Sequence, residues 1–436
     1  MIKPKIGLTV VYHPYEEGAN DAPMLLSRTN LMLNRLDLEV VCADPVHDAA
    51  TAIEAGKRFR EQRVDLICLP LATWSSDYVV LDMLEQIDAP VITWAFPGIN
   101  TGSLCGCQQI SCVLKELGKE YRFVYGDELD AHNEIQAYSR AVALRNRLRT
   151  VRLGLIGYRI QGMTEVTFDE YALKSVLGPR VIHVGVEKLK DEIEGIEEEK
   201  ARAKWEEVKK KVGRVVSREE ECLYSIKAYL AMRKLVEENG LTGLATECYP
   251  GLMGQVCLPH SLLSEEGVVA ACEGDINSAV AMLMLFELTG LPVHNTDLLA
   301  AYKEDGSLVL SHCGSGGFSL AESSKDVTLG PVRLAHNGVC VLFPSKPGEV
   351  TLVNLVGRQD TYRMCIIEAQ AVSTEMVFPG NPIRVKIPIS VDDFLKIVAK
   401  FGFGHHWMIG YGGVSKELAQ LGRLVGIKTV SVPKTD

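Results

Sequence analysis

The chain has 436 residues, of which 47% are hydrophobic and 23% are charged, and this balance excludes a disordered chain, a collagen and a coiled-coil rod. Its 56 acidic and 46 basic residues give a net charge of -10, which argues against a nucleic-acid or membrane partner because those partners need clustered Lys and Arg. At roughly 150 residues per domain, the length predicts two or three domains.

The cysteines and the start of the chain indicate a reducing compartment. Twelve cysteines are present, and most of them lie in apolar segments, as Cys68 does. The sequence begins without the charged region, apolar region and cleavage site of a signal peptide. No apolar run approaches the ~20 residues of a membrane span. We therefore expect reduced core thiols in a cytoplasmic protein.

The first part of the chain alternates short apolar strands with amphipathic helices. The strands are expected at residues 6–11, 38–42, 66–71, 90–96 and 121–125, and the helices at residues 24–36, 49–62, 79–87 and 111–117. Apolar strands of this kind predict a parallel sheet with helices on both faces. A similar opening at residues 151–157 starts a second unit, so we expect doubly wound parallel-sheet domains over residues 1–145 and 146–328.

The C-terminal part is rich in Val, Thr, Pro and Gly. Short strands at a spacing of about ten residues predict a β-rich, barrel-like domain over residues 329–436. The predicted fold class is therefore α/β, with two doubly wound parallel-sheet domains followed by this third domain. The charge-dense stretch of residues 188–220 predicts a solvated helical arm, with one exposed helix over residues 192–212.

Two carboxylates in the second domain follow apolar strands. Glu247 closes one strand before a Tyr-Pro turn, and Asp275 lies in an acidic turn after another. The carboxyl ends of parallel strands are where α/β proteins bind ligands, although Glu247 could be a solvated residue and Asp275 could cap the next helix. Adjacent strand ends would bring the carboxylates close enough to repel each other, and a divalent cation between them would remove that cost.

A histidine pair, His405 and His406, lies between glycines in residues 402–408 and could supply an imidazole ligand. Because adjacent residues of an extended chain face opposite ways, only one of the pair should reach a given metal. A purely structural role for the pair stays open. The three segments together are better evidence for a site than any one alone.

The remaining histidines carry weaker signals. His312 follows a strand and precedes a Gly-rich loop, so it could contact a polar ligand, and His260 could do so or cap a helix. We leave His294 and His336 to packing. No Gly-x-Gly-x-x-Gly follows the first strand and no Walker motif is present, so the sequence does not support a nucleotide cofactor.

The segments around Glu247, Asp275 and the histidine pair resemble the L-fucose/L-arabinose isomerase superfamily. Residues 90–94 and 102–107 are similar to the first domain of that family. The resemblance implies an aldose–ketose isomerase that acts on a sugar with Mn²⁺ or another divalent cation such as Mg²⁺ or Co²⁺. It also implies a homo-oligomer, a trimer or a hexamer.

By motif match, the resemblance implies that Glu247 and Asp275 are catalytic and that they bind the metal together with His406, with His405 as the alternative. It implies less directly that Trp94 and His312 bind the substrate. The sugar itself stays open, including whether it carries an anionic substituent. Polar residues that could face such a substituent are Arg159, Gln161 and Lys188.

The chemistry agrees with these residue types. Isomerisation removes a proton from C2 of the sugar and returns one to C1 through an enediol(ate), whose charge a divalent cation can stabilise. One carboxylate can act first as base and then as acid, and we expect Glu247 to carry the C2 proton. The alternatives are another divalent-metal carbohydrate enzyme such as a class II-type aldolase, or a non-catalytic sugar-binding protein.

Overall fold

The structure is a computed structural model that describes residues 1–432. It divides into two compact units, which we call the N-unit, Ile2–Asn146, and the C-unit, which comprises Met1 and the chain from Arg147 onward. The predicted second and third domains thus belong to one unit.

The N-unit alternates strands and helices. They are β1 (Lys5–Leu8), α1 (Ala22–Leu33), β2 (Glu39–Cys42), α2 (Ala49–Glu61), β3 (Leu66–Leu71), α3 (Asp77–Leu84), β4 (Val91–Ala95), α4 (Ser103–Glu116), β5 (Tyr121–Tyr125) and α5 (Glu128–Leu148), the last of which runs across the division. The strands form sheet A in the order β2-β1-β3-β4-β5, and every pairing in it is parallel. The predicted parallel sheet is confirmed.

The strands β3 and β4 place sheet A in the interior of the N-unit because they are apolar on both faces. Every residue of β3 and of β4 is buried, which is the pattern of strands covered by helices on each side. Asp48 caps α2 by accepting from the amide of Thr51 at 2.9 Å. Gly56 lets α2 approach α3, since a Cβ there would lie 2.5 Å from the carbonyl oxygen of Met83.

The C-unit begins as α/β and ends β-rich. Its elements are β6 (Arg152–Ile156), α6 (Glu170–Ala172), β7 (Arg180–Val184), α7 (Val186–Glu194), α8 (Glu198–Lys209), β8 (Arg214–Val215), α9 (Glu219–Asn239), β9 (Gly243–Thr246), α10 (Cys257–Glu265), β10 (Val269–Ala271), α11 (Ile276–Thr289), β11 (His294–Tyr302), β12 (Ser307–Ser311), β13 (Thr328–Gly330), β14 (Cys340–Leu342), β15 (Gly348–Val356), β16 (Arg363–Val372), β17 (Ile383–Lys386), α12 (Val391–Phe401), β18 (His406–Tyr411), α13 (Ser415–Leu424) and β19 (Lys428–Val432).

Three sheets organise this unit. Sheet B is parallel, in the order β10-β9-β6-β7, and sheet C is a small sheet of β14, β13 and β8. Sheet D has seven strands in the order β15-β18-β11-β12-β17-β16-β19. Because β15 also pairs with β16, the pairings of sheet D return to their first strand. That ring agrees with a barrel-like domain, although the terms doubly wound and barrel-like stay predictions.

Sheet D begins earlier in the chain than the predicted third domain. Its strands β11 and β12 both lie before residue 329, and β11 pairs with β18 near the C-terminus. The predicted boundary at residue 329 therefore does not coincide with the start of the β-rich sheet.

Helix α11 joins sheets B and D. It contacts β9 and β10 on one side and β15 and β18 on the other. All of its residues from Ile276 to Leu285 are buried, as expected of a helix that is apolar on every face and lies inside a protein. The carboxyl ends of sheet B and the strands of sheet D are thereby held against the same helix.

The prediction of one exposed helix over residues 192–212 is wrong in two respects. The chain forms two helices there, α7 and α8, which are separated at Gly195, a poor helix former. Both helices also bury an apolar stripe, which includes Ile193 and Trp205, and they pack against α9. Their exposed faces carry ion pairs between residues three or four apart, and others join these helices to α9. No helix among the described residues is both long and apolar enough to cross a membrane.

The stability of the C-unit at acid pH should depend on His294, because this histidine is buried in its neutral form. The ring bonds Ser345 at 3.2 Å and lies beside Phe343 and Tyr411. Burial, helped by the charge of Lys346, lowers the pKa of His294 to about 3. Below about pH 6.5 the unfolded chain takes up a proton that the folded chain refuses, so stability is lost as the pH falls.

When the pH falls from 7 to 5, the unfolding free energy of the wild type should therefore decrease by about 2 kcal/mol more than that of His294→Asn. Denaturant unfolding at the two pH values measures this difference. The control is His336→Asn, a change at an exposed histidine, which should keep the wild-type pH dependence. Equal losses in His294→Asn and the wild type would contradict the assignment.

Candidate active site

The site starts at the carboxyl ends of adjacent strands of sheet B. Glu247 follows β9 directly, and Glu273 lies in the turn between β10 and α11. In that turn both Glu273 and Gly274 have positive φ, at 63° and 69°. The glycine is required because a Cβ on it would collide with the carbonyl oxygen of Tyr158. The tight turn directs the chain so that the Glu273 carboxylate meets sheet D.

Sheet D supplies the opposite wall. Asp297 on β11 pairs directly with His406 on β18, and it also pairs with Ser311, the last residue of β12, just before His312. Side chains alternate along a strand, so His406 faces the site while Trp407 packs on the other side against Phe394 in the core. The sheet register therefore turns His406 inward. His405, just before β18, also reaches the same site, so the expectation that only one histidine of the pair would approach a given metal is wrong.

Five side chains converge there, and we call them the carboxylate–histidine cluster: Glu273, Asp297, His312, His405 and His406. The closest contact joins Nε2 of His406 and Oε2 of Glu273 at 3.0 Å. Oδ1 of Asp297 lies 3.8 Å from Nε2 of His406 and 3.8 Å from Nε2 of His405. Nε2 of His312 lies 3.8 Å from Asp297 and 4.0 Å from Glu273.

Asp275 lies behind His406, on the side away from Glu273. Its Oδ2 is 2.8 Å from Nδ1 of His406, while its Oδ1 accepts from the amide of Ser278 at 3.0 Å and caps α11. Both ring nitrogens of His406 thus donate to carboxylates in this structure, and if a cation took the place of the Nε2 proton, the bond of Nδ1–H to Asp275 would keep Nε2 directed at the ion. Asp275 thus holds the ring of His406, and its predicted roles as a ligand and as a catalytic residue stay predictions.

The cluster is electrostatically coupled. Burial opposes the charge on Glu273, but hydrogen bonds with His405 and His406 and the charge of His312 hold the pKa of Glu273 well below its usual range. Burial likewise opposes the charge on His312, and Asp297, Cys313 and Glu273 outweigh it to raise the pKa of His312 to about 9.

Several polar atoms of the cluster are buried without a hydrogen bond of ordinary geometry. They are Oδ1 of Asp297 and both ring nitrogens of His312. Unsatisfied buried polar atoms are costly, so these atoms point to a ligand that lies between them. Glu273, His405 and His406 form one set of ligand atoms within 4.8 Å of one another, and Asp297, His312 and His406 form another. A divalent cation fits this mixture of carboxylate and imidazole ligands.

Glu247 is separate from the cluster in its contacts. Its Oε2 accepts from the amide of Tyr158 at 2.7 Å, and a Cβ on Gly157 would lie 2.5 Å from that oxygen. Glu247 belongs to neither set of potential metal ligands among the described residues. The strand ends are adjacent as predicted, yet the carboxylates of Glu247 and Asp275 bond to different partners. The predicted roles of Glu247 stay predictions.

The other predicted residues fall in different environments. His312 is in the cluster, and His405 is at its edge, half-exposed and bonded to Glu165. Trp94 lies in the N-unit, where it is fully buried and donates from Nε1 to the carbonyl oxygen of Gly126 at 2.9 Å. No surface of its ring is open to a ligand in this structure, and its predicted role stays untested.

Sequence reasoning missed Glu273 and Asp297. Glu273 lies in the same acidic turn as Asp275, and the turn alone does not tell which carboxylate faces sheet D. Asp297 lies within β11 and is separated from His406 by more than a hundred residues. Only the pairing of β11 with β18 brings it to the site.

Four curated proteins similar to this chain are all named sulfoquinovose isomerase. Those of Priestia aryabhattai and Priestia megaterium are each 26% identical over 380 residues, which is 84% of this chain and 85% of theirs. That of Alkalicoccus urumqiensis is 25% identical over 84% of this chain and 86% of its own. These relatives confirm the prediction of an isomerase enzyme.

No protein-family model matches the chain, so membership of the superfamily named from the sequence stays a prediction. Among solved structures, an ABC transporter solute binding protein from Burkholderia multivorans covers 67% of this chain and 95% of its own at 14% identity. Its TM-score of 0.19 is too low to support an argument about fold or function.

The position of Asp275 generates a stability prediction. Asp275→Ala removes both a helix cap and the partner of a buried histidine, and we expect a loss of about 3–5 kcal/mol in unfolding free energy. Asp275→Asn keeps a good cap and should lose less. Denaturant unfolding in excess EDTA measures both losses without any contribution from bound metal.

The control for this prediction is Ser390→Ala, which removes an exposed helix cap from Asp393 and should cost only about 1 kcal/mol. If Asp275→Ala costs no more than Ser390→Ala, the bond from Asp275 to His406 does not stabilise the site.

Proposed function

We propose that this protein is a metal-dependent aldose–ketose isomerase and that its substrate is sulfoquinovose, an aldose that carries a sulfonate group. The observation that most strongly supports this proposal is the carboxylate–histidine cluster at the carboxyl end of sheet B, which contains buried polar atoms without hydrogen-bond partners. The relatives support an isomerase that acts on a sugar, and their shared name supports the choice of sulfoquinovose.

The cluster would hold the metal through His406, which both ligand sets share, together with Glu273 from one set and Asp297 from the other. These residues supply two carboxylates and one imidazole, a set that suits Mn²⁺, Mg²⁺ or Co²⁺ better than a softer ion, and Mn²⁺ is our choice. When bound, such an ion supplies Lewis-acid stabilisation of the negative charge that isomerisation creates. Asp275 orients His406 for this role, as outer carboxylates do at many metal sites.

Glu247 is our choice for the residue that moves the C2 proton. It is partly exposed at the end of β9, and the amide of Tyr158 fixes one oxygen of its carboxylate. The other oxygen is then oriented for a substrate that lies against the strand end. Because Glu247 is in neither ligand set, its carboxylate can act as base and then as acid without leaving a metal.

His312 is our choice for a substrate contact. The side chain is 3% exposed, and neither ring nitrogen is satisfied by the protein. An N–H of this ring can donate to a sugar oxygen held next to Glu273 and Asp297. His312 directly follows β12. Because β12 pairs with both β11 and β17, it cannot easily rotate and turn this ring away from the site.

The alternatives are less well supported. No relative among the four is an aldolase or a binding protein. The homo-oligomer, a trimer or a hexamer, and the cytoplasmic location are parts of this proposal that rest on the sequence alone.

Substitutions at the two glutamates should separate proton transfer from metal binding. We expect Glu247→Gln to lower kcat for conversion of sulfoquinovose to its ketose by roughly 10²–10⁴-fold, because the proton carrier is lost, while Mn²⁺ affinity stays near wild type. Glu273→Gln should instead weaken Mn²⁺ binding, since the amide is a poorer ligand. Calorimetric titration with Mn²⁺ and a ketose assay give the two readouts.

The surface variant Glu304→Gln, in the loop between β11 and β12, is the control and should match the wild type in both. Near-wild-type turnover in Glu247→Gln would overturn the role of Glu247. Failure of the wild-type protein to bind any Mn²⁺ would overturn the metal site, and conversion of no aldose would overturn the isomerase.

A further inference from the structure

We propose that Arg159 binds the anionic group of the substrate and selects for a charged sugar. The inference rests on the proposed function, because it takes the sulfonate of that substrate as the group that needs a partner. Two observations support the inference: a cavity lies beside the carboxylate–histidine cluster, and a guanidinium in the wall of that cavity has a donor without an acceptor.

The cavity lies next to the cluster. It has a volume of about 690 Å³, and its wall includes Tyr158, Arg159, Val166 and Phe168. Val166 also lines the narrow crevice that contains His405 and His406. The two spaces are therefore neighbours at Val166, and in this proposal a sugar held at the cluster by one end extends its other end toward the cavity.

The backbone places Arg159 against the turn that carries Glu273. The amide of Ile160 donates to the carbonyl oxygen of Glu273 at 3.4 Å. On the other side of the turn, a Cβ on Gly274 would lie 2.9 Å from Cα of Arg159. The segment that carries Arg159 is thus fixed to the segment that carries a proposed metal ligand.

The guanidinium itself lacks a compensating charge. Nη1 donates to the carbonyl oxygen of Ile160 at 3.2 Å, and the group lies over the ring of Tyr158 at 5.4 Å from its centre. Nε is buried and has no hydrogen-bond partner. Among the residues that the structure describes, no carboxylate lies within 4.0 Å of Arg159. A buried donor without an acceptor is costly, and a bound anion would satisfy it.

Most other charged groups of the cavity wall are engaged within the protein, and Arg180 at the start of β7 is a cation exposed to solvent. Lys174 donates to two backbone carbonyl oxygens, those of Arg149 and Gly178. Asp169 accepts from the amide of Ala172 at 2.7 Å. Glu170 is 2.8 Å from Nε2 of His183. Among the described cations of this wall, Arg159 stands out because its Nε is a buried donor without an acceptor.

The chemistry of arginine fits this role. Its planar guanidinium presents several N–H donors in a fixed fork, which matches the oxygens of a sulfonate as it does those of a phosphate or carboxylate. A neutral sugar would leave the unsatisfied donor without a partner. Discrimination against an uncharged analogue follows, because the site is penalised when its polar group stays unpaired.

The test compares Arg159→Gln, Arg159→Lys and the wild type on sulfoquinovose and on its uncharged analogue 6-deoxyglucose, with Mn²⁺ present. We expect Arg159→Gln to lower kcat/KM for sulfoquinovose by roughly 10- to 100-fold, mainly through KM, and to leave the value for 6-deoxyglucose within about twofold. Arg159→Lys should recover part of the loss. The matched control, Arg152→Gln, removes the same charge from the exposed start of β6 and should match the wild type.

Direct binding of sulfoquinovose, measured by calorimetry, keeps this inference separate from the proposed function. A wild type that binds sulfoquinovose through Arg159 without converting it would contradict the isomerase and support the anion site. Equal losses on both sugars, or no loss in Arg159→Gln, would overturn the role of Arg159 even if the isomerase activity is found. Absence of any sulfoquinovose binding would overturn it as well.

Discussion

The candidate site depends on the way His406 is held between two carboxylates. Asp275 holds Nδ1 at 2.8 Å and Glu273 meets Nε2 at 3.0 Å. Each contact comes from the same turn, so the turn before α11 both positions the imidazole and supplies a partner for it. Burying charged groups of this kind costs free energy unless the groups are paired. The atoms of Asp297 and His312 that lack hydrogen-bond partners add to that cost, and a bound cation would reduce it.

The rest of the C-unit can be understood as the support for this arrangement. Helix α11 is buried between sheet B, which brings Glu273, and sheet D, which brings Asp297 and His406. The antiparallel pairing of β11 with β18 sets those last two side by side. A shift of one residue in that pairing would turn His406 into the core and Trp407 into the site. The large buried aromatic contacts of Trp407 with Phe394 and Phe403 oppose such a shift.

Much of the fold could be predicted from local pattern, but the site could be predicted only in part. The apolar strands β3 and β4 and the acidic turn at residues 273–275 are visible in the sequence because burial and capping act over a few residues. The role of Glu273 could not be separated from that of Asp275, since the two differ in which side of His406 they reach. Asp297 could not be found at all, because only long-range strand pairing places it there. The break between α7 and α8 was missed for a local reason, the weak helix propensity of Gly195.

The most direct test is the position of the ion in a crystal of the full chain grown with Mn²⁺, located by the anomalous scattering of manganese. The account predicts an anomalous peak in contact with Glu273, Asp297 and His406, with Asp275 still bonded to Nδ1 of His406. A peak bound by Glu247 and Asp275 instead, or no peak at the carboxylate–histidine cluster, would contradict it.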